Sequence, residues 1–82
     1  MPLNELAVAR RVAGIRAVRK ALLAGCLEKL FIADDAPAAL VAELENDAKK
    51  AGVEIERAPD MIRLGRACAI DRGAAAAGIA RC

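Results

Sequence analysis

Glycines divide this 82-residue chain into short segments, and the apolar pattern changes from one segment to the next. Residues 15–24 repeat apolar side chains at helical spacing and end at Gly25, whereas residues 27–33 contain a continuous apolar run typical of a buried strand. Residues 40–50 return to the helical period and stop before Gly52. Such close alternation of strands and helices favours a sheet that is covered by helices.

The other segments continue this alternation. Asp60 is suited to cap a short helix that begins at Met61, and residues 53–56 alternate apolar and acidic side chains as a strand does. The alanine-rich tail over residues 74–80 favours helix by propensity, but glycines interrupt it, so we predict a last buried strand. Further predictions are an opening helix around residues 3–7, a brief strand over residues 11–13, and a turn with a helix N-cap over residues 34–37.

Length and composition fit one small domain. We predict a single domain over residues 1–82, an α/β fold in the form of a three-layer α/β/α sandwich. Hydrophobic residues make up 57% of the chain, which excludes disorder, and Phe31 is its one aromatic residue. The first residues lack the apolar stretch of a secretory signal, and charges interrupt every candidate membrane span. We therefore expect a cytoplasmic protein.

The composition removes most catalytic machinery. Histidine, serine, threonine, tyrosine and tryptophan are absent, so the sequence offers no imidazole base and no hydroxyl nucleophile. Cys26, Cys68 and Cys82 lack the short spacing of metal-binding pairs; we interpret them as ordinary thiols, and the sequence leaves a disulfide open. We predict no enzymatic activity, no metal and no cofactor.

Basic residues are concentrated in two segments. Five of them fall within residues 10–20, where no acid occurs, and three more fall within residues 63–72 beside Asp71 alone. The two segments hold eight bases and one acid and carry +7, whereas the rest of the chain holds five bases and ten acids and carries −5. A single-sign surface steers a polyanion toward itself, so this distribution indicates nucleic acid as a partner.

Three stretches of the sequence resemble motifs of a known family. They are GIRAVRKAL over residues 14–22, DDAP over residues 34–37, and LGRACAIDRGAAA over residues 64–76. In order and separation they are similar to the L-seven-Ae superfamily of ribosomal proteins, and especially to its small bacterial YbxF-like branch. The resemblance covers nearly the whole chain. It implies a four-stranded mixed sheet and the binding of kink-turn RNA, a duplex sharply bent at a short internal loop beside tandem sheared G·A pairs.

The resemblance also implies which residues meet the RNA. The helix that begins after Gly14 would point its first turns into the widened major groove at the G·A pairs, and residues 70–73 would cover the loop nucleotides. Arg16 and Ala17 occupy the places of a polar pair, and Lys20 matches a basic residue. The implied RNA-binding residues are Gly14, Ile15, Arg16, Ala17, Arg19, Lys20, Arg66, Ile70, Asp71, Arg72 and Gly73.

The basic residues are expected to make two kinds of contact. An arginine that contacts guanine O6 and N7 together contributes about 1–3 kcal/mol of discrimination, whereas a phosphate contact adds affinity without sequence information. We expect Arg16 and Lys20 to contact base edges. We expect Arg11, Arg19 and Arg66 to contact phosphates.

Two positions depart from the family pattern. Ala17 has no hydrogen-bonding side chain, and Arg72 replaces the usual apolar residue, which either adds a phosphate contact or weakens packing against a base. The expected partner is structured RNA that contains a kink-turn, whether ribosomal RNA, a riboswitch or another non-coding RNA, with the ribosome as one setting. We expect a monomer when free and no membrane association. The alternative from another class is a protein-interaction module whose basic face docks an acidic partner protein.

Overall fold

The chain folds around a four-stranded sheet, and the computed structural model describes residues 10–81. Its elements, in chain order, are β1 (Arg11–Ala13), α1 (Ile15–Leu23), β2 (Leu27–Ala33), α2 (Ala38–Lys50), β3 (Glu54–Ala58), α3 (Met61–Ala67) and β4 (Ala76–Ala80). The strand order is β1-β4-β2-β3, with β4 antiparallel to β1 and β2 and with β2 parallel to β3. The expected mixed sheet is confirmed. The predicted opening helix over residues 3–7 lies outside the described residues.

Alternating side chains of β2 build a core on each face of the sheet. Leu30 and Ile32 are fully buried on one face with residues of α1 and α2. Phe31 and Ala33 are buried on the other face with residues of α3. Because helices cover both faces, β2 requires apolar side chains at successive positions. The predicted three-layer α/β/α sandwich is therefore confirmed.

β2 contains two charged residues, the exposed Glu28 and the buried Lys29. Lys29 is only 7% exposed, and its Nζ lies 3.2 Å from Glu54 Oε2 and 3.1 Å from Glu56 Oε1. The same nitrogen lies 5.1 Å from the centre of the Phe31 ring. Two carboxylates and an aromatic face therefore offset the cost of burying the ammonium group.

The register of β2 is irregular near this lysine. A register shift between Leu27 and Lys29 places Leu27 on the α1 and α2 side of the sheet.

The three helices end in similar turns, but one of them does so without glycine. Gly25 and Gly52 both have φ of 73° and follow the ends of α1 and α2, as their sequence predicted. After α3 the corresponding residue is Ala69, with φ of 61°, and the next N–H, that of Ile70, donates to the Gly65 carbonyl oxygen at 3.1 Å. An L-residue in this left-handed conformation costs roughly 1–2 kcal/mol. The turn after α3 is therefore strained.

The N-cap predictions had different outcomes. Asp60 caps α3 as predicted, because its Oδ1 accepts the Arg63 backbone N–H at 2.7 Å. The predicted side-chain cap of α2 within residues 34–37 is wrong, since Pro37 occupies the N-cap and forms no side-chain hydrogen bond. Asp35 instead accepts the Met61 backbone N–H at 2.8 Å. Its carboxylate stabilises the start of α3, which only the tertiary structure brings within reach.

The structure also bears on membrane spans, metal ligands and cysteines. Across residues 10–81, no helix is long and apolar enough to cross a membrane. The same residues contain no cluster of potential metal-ligating side chains. Cys68 is a free thiol in the core, where burial raises its pKa against the opposing effect of Arg11. Cys26 is disulfide-bonded, and it is therefore not the ordinary thiol of our first interpretation but the alternative that the sequence left open.

Candidate nucleic-acid interface

The start of α1 and the loop before β4 lie side by side. β1 and β4 are neighbouring antiparallel strands, so the end of β1 meets the start of β4 at one edge of the sheet. Gly14, between β1 and α1, donates its backbone N–H to the Ala76 carbonyl oxygen at 2.9 Å. Two segments that are far apart in the sequence, both expected to meet RNA, are therefore adjacent in the fold.

A groove of about 340 Å³ lies between these segments. It is lined by Ala13, Gly14, Ile15, Arg16, Ile70, Arg72, Gly73, Ala74 and Ala75. The predicted RNA-binding residues among them are Gly14, Ile15, Arg16, Ile70, Arg72 and Gly73. The sequence did not predict the three alanines, although the run of small residues around Gly73 was a signal for an open loop.

The exposed face of α1 continues beyond the groove. Val18 is fully buried beneath the helix, whereas Arg16 and Lys20 are exposed one turn apart on the opposite side. Neither basic side chain forms an ion pair within the described residues. The half-buried Ala17 lies between them in sequence, and it does not line the groove. A pair of cationic side chains is therefore available to a ligand beside the groove.

Two arginines that were expected at phosphates have partners within the protein. The Arg19 guanidinium lies 3.6 Å from the Glu43 carboxylate of α2. Arg11 Nε donates to the Cys68 carbonyl oxygen at 3.1 Å, which connects β1 to the end of α3. Arg66 is exposed in the last turn of α3, outside the groove. The three residues are therefore not equivalent, since two of them also contact other elements of the fold.

The loop before β4 rests on α3. A β-carbon added at Gly65 would overlap the carbonyl oxygen of Arg72, so only glycine permits this approach of the loop to the helix. A β-carbon at Gly73 would lie 3.1 Å from the Met61 β-carbon. The Ala74 backbone N–H donates to the Met61 carbonyl oxygen at 2.9 Å. The groove therefore has one wall whose position depends on α3, although no residue of α3 lines it.

The fold and the groove place the protein among small three-layer α/β/α domains. In this domain the basic start of a helix faces a loop that a neighbouring helix supports. Residues 4–82 match the model of the Ribosomal protein L7Ae/L30e/S12e/Gadd45 family, and the chain belongs to this family. The family assignment from the three sequence motifs is thus confirmed.

Several relatives of the chain are named as RNA-binding proteins. It is 37% identical over 68 residues to an RNA-binding protein of Bacillus pumilus (strain SAFR-032), covering 83% of each chain. It is 33% identical over 70 residues to the RNA-binding protein YbxF of Geobacillus stearothermophilus, covering 85% of each chain. These relatives are named as RNA-binding proteins and not as enzymes, in agreement with the prediction that this chain is not an enzyme.

A solved structure supports the fold. The Giardia lamblia 15.5kD RNA binding protein superposes with a TM-score of 0.85 at 24% sequence identity, covering 98% of this chain and 68% of that chain. At this level of identity the likeness concerns the arrangement of helices and strands. The α/β/α sandwich therefore stands on both the packing of the described residues and this comparison.

Proposed function

We propose that the protein binds RNA at the groove and along the exposed face of α1, and that its preferred target is a kink-turn. The observation that carries the proposal is the adjacency of the α1 start and the loop before β4, joined through the hydrogen bond from Gly14 to Ala76. Membership of a family whose relatives are named RNA-binding proteins supports the general activity. The preference for a kink-turn rests on the resemblance of the sequence motifs.

The start of α1 is suited to an anionic ligand. Its N-cap, Gly14, provides no side-chain hydrogen bond, and the first turn contains no acidic residue. The first N–H groups of the helix and the positive end of its dipole therefore favour a negatively charged group. The exposed Arg16 and Lys20 add mobile positive charge on the same helix. This arrangement favours a polyanion over a neutral ligand.

The shape of RNA selects where such a helix can bind. A regular A-form duplex has a major groove that is too deep and narrow for side chains to read. An internal loop with sheared G·A pairs widens the groove, so a helix start can approach the base edges. We assign Arg16 and Lys20 to those edges and Arg66 to a phosphate. Arg11 and Arg19 are assigned smaller phosphate contributions because they also have protein partners.

The loop side of the groove supplies apolar cover. Ile70 is half-buried and packs against the core cluster that includes Leu64 and Cys68, while it also lines the groove. An aliphatic surface of this kind can shield an unstacked base from water, a role that aromatic side chains have in other RNA-binding modules. We propose that the nucleotides of the internal loop lie here.

Binding at both walls of the groove would favour the bent RNA. A sharp bend brings phosphates together, and a cationic surface that touches both arms lowers the resulting repulsion. The protein shifts the RNA toward the kinked form only by its differential affinity for the two forms. A bent conformation should therefore become more populated as protein is added.

Titration of labelled RNA tests the proposal. A kink-turn RNA should bind tightly, and a control in which Watson–Crick pairs replace the sheared G·A pairs should bind much more weakly. Equal affinity for the two RNAs would exclude recognition of the kink-turn. Capture of an acidic protein that persists after nuclease digestion, together with weak binding to both RNAs, would support the alternative of a protein-interaction module.

A further inference from the structure

The groove contains positive charge that its own lining does not neutralise. Among its lining residues Arg16 and Arg72 are charged, and none of them is a carboxylate. Both arginines are exposed, and in the described part of the chain neither forms an ion pair. The other lining residues are alanine, isoleucine and glycine, so their side chains supply no hydrogen-bonding group. The groove lining therefore presents net positive charge to an approaching anionic group.

The backbone that carries Arg72 is held on both sides. The Ile70 N–H donates to the Gly65 carbonyl oxygen at 3.1 Å, and the Ala74 N–H donates to the Met61 carbonyl oxygen at 2.9 Å. Between these bonds, the Arg72 carbonyl packs against Gly65 where no β-carbon fits. Binding through Arg72 therefore orders a side chain but requires little further ordering of the backbone, which reduces the entropic cost.

We infer that Arg72 contacts a phosphodiester of the RNA, on the loop side of the groove opposite the helix that carries Arg16. This inference rests on the proposed function. Two guanidinium groups that line one groove repel each other, and a phosphate relieves this repulsion whereas a neutral base edge does not. A guanidinium also matches the oxygens of a phosphate through two parallel N–H groups. Asp71 precedes Arg72 but does not line the groove, so the lining itself contains no carboxylate.

A phosphate contact has a characteristic effect on binding. It adds affinity to every RNA that occupies the groove, and it steepens the salt dependence because a counterion is released from the RNA. A contact with a base edge would instead change the ratio of affinities between two RNAs. Salt dependence and discrimination therefore distinguish the two roles of Arg72, and a merely structural role changes neither in this way.

The test compares the unaltered protein with Arg72→Gln and Arg72→Lys in titrations of the kink-turn RNA and its Watson–Crick control across a salt series. For Arg72→Gln we expect about tenfold weaker binding of both RNAs at low salt. The slope of log affinity against log salt should fall by about 0.7–0.9. The ratio of affinities for the two RNAs should stay unchanged, and Arg72→Lys should retain the original slope.

Arg81→Gln is the matched control. It removes the same charge from an exposed arginine that follows β4, at the end of the strand away from the groove. Its salt slope should remain close to that of the unaltered protein. Urea unfolding of each variant checks that the fold is retained.

Each outcome distinguishes the inference from the proposed function. If Arg72→Gln keeps the original slope while the unaltered protein still prefers kink-turn RNA, the phosphate contact is wrong and the proposed function stands. A collapse of the affinity ratio in Arg72→Gln would assign Arg72 to a base edge and overturn the inference in another way. If the unaltered protein does not discriminate between the two RNAs, the proposed kink-turn recognition fails; if it binds neither, the inference fails as well.

Discussion

The two walls of the groove are held by different kinds of interaction. On the helix side, α1 begins at Ile15, directly after Gly14, and local spacing places the buried Val18 and the exposed Arg16 on opposite faces. On the loop side, the backbone follows a strained turn at Ala69 and rests on α3. The helix wall is therefore determined by neighbouring residues within one helical turn. The loop wall depends on contacts with α3.

This difference predicts where substitutions act. Changes at Arg16 and Lys20, on the exposed side of α1, should alter RNA binding with little effect on folding, since neither side chain forms an ion pair in the described structure. Changes beneath the loop should alter both stability and binding, because the loop and α3 pack backbone against backbone at Gly65. The following substitutions separate the two walls.

The largest expected effect is on the helix side. Arg16→Ala combined with Lys20→Ala should weaken binding of the kink-turn RNA by about a hundredfold or more, since each contact contributes about 1–3 kcal/mol. The free energy of unfolding should change little because both residues are exposed. Fluorescence titration and urea unfolding measure the two quantities.

A control with the same loss of charge comes from α2. Lys49→Ala combined with Lys50→Ala removes two exposed bases from the last turn of that helix, away from the groove. If this control weakens RNA binding as much as the Arg16 and Lys20 pair does, net charge and not the face of α1 governs affinity.

The next effect concerns the support of the loop. Gly65→Ala should lower the free energy of unfolding by about 3 kcal/mol, because the new methyl group overlaps the Arg72 carbonyl. Gly25→Ala meets open space and suffers only from its left-handed φ, so it should cost about 1 kcal/mol. Under conditions where both variants are folded, only Gly65→Ala should lose RNA affinity. Equal losses of unfolding free energy in the two variants would show that the loop before β4 moves away from Gly65 without an energetic cost.

A smaller effect of opposite sign is expected at the strained turn. Ala69→Gly should raise the free energy of unfolding by about 1 kcal/mol, because glycine adopts positive φ without the penalty of a β-carbon. Ala42→Gly, in the exposed interior of α2, should lower it by about 1 kcal/mol. Urea denaturation of the two variants compares the signs. A loss of stability in Ala69→Gly would show that the alanine methyl group contributes more than the strain removes.

The smallest effect is a pH dependence from Cys68. Burial raises the pKa of this thiol in the folded state, so the unfolded chain loses its proton at lower pH. The unfolded state then binds fewer protons, and stability should fall as pH rises above the ordinary thiol pKa toward the folded one. Cys68→Ala should show a weaker decline over this alkaline range. An identical pH profile in the variant would contradict a role of the thiol in this decline.

Much of the fold could be predicted because it depends on local patterns. The bounds of β2 were predicted correctly from its apolar run, and α1 was predicted to within one residue of its end at Leu23. β3 was predicted to end at Glu56 but extends to Ala58, which pairs with Ala33 of β2. That pairing across the sheet lengthens the strand, and no local pattern reveals it.

The candidate site also contains features that the sequence predicted and features that it did not. The residues of the α1 face and the loop were predicted from motifs, and the structure places six of the predicted residues in one groove. The internal partners of Arg11 and Arg19 were not predicted, since Cys68 and Glu43 are distant in sequence. Asp35 likewise stabilises α3 instead of α2. These contacts depend on which elements the sheet brings together.

The sequence by itself determined the alternation of helices and strands, the exposed basic face of α1 and the two basic segments, because periodicity, capping and charge operate over a few neighbouring residues. The tertiary structure decided that Gly14 meets Ala76, that Arg72 rests against Gly65, and that one groove results. Those contacts follow from the antiparallel pairing of β1 with β4 and from the packing of α3 on the sheet. Both join residues that lie far apart along the chain, where local sequence patterns carry no information.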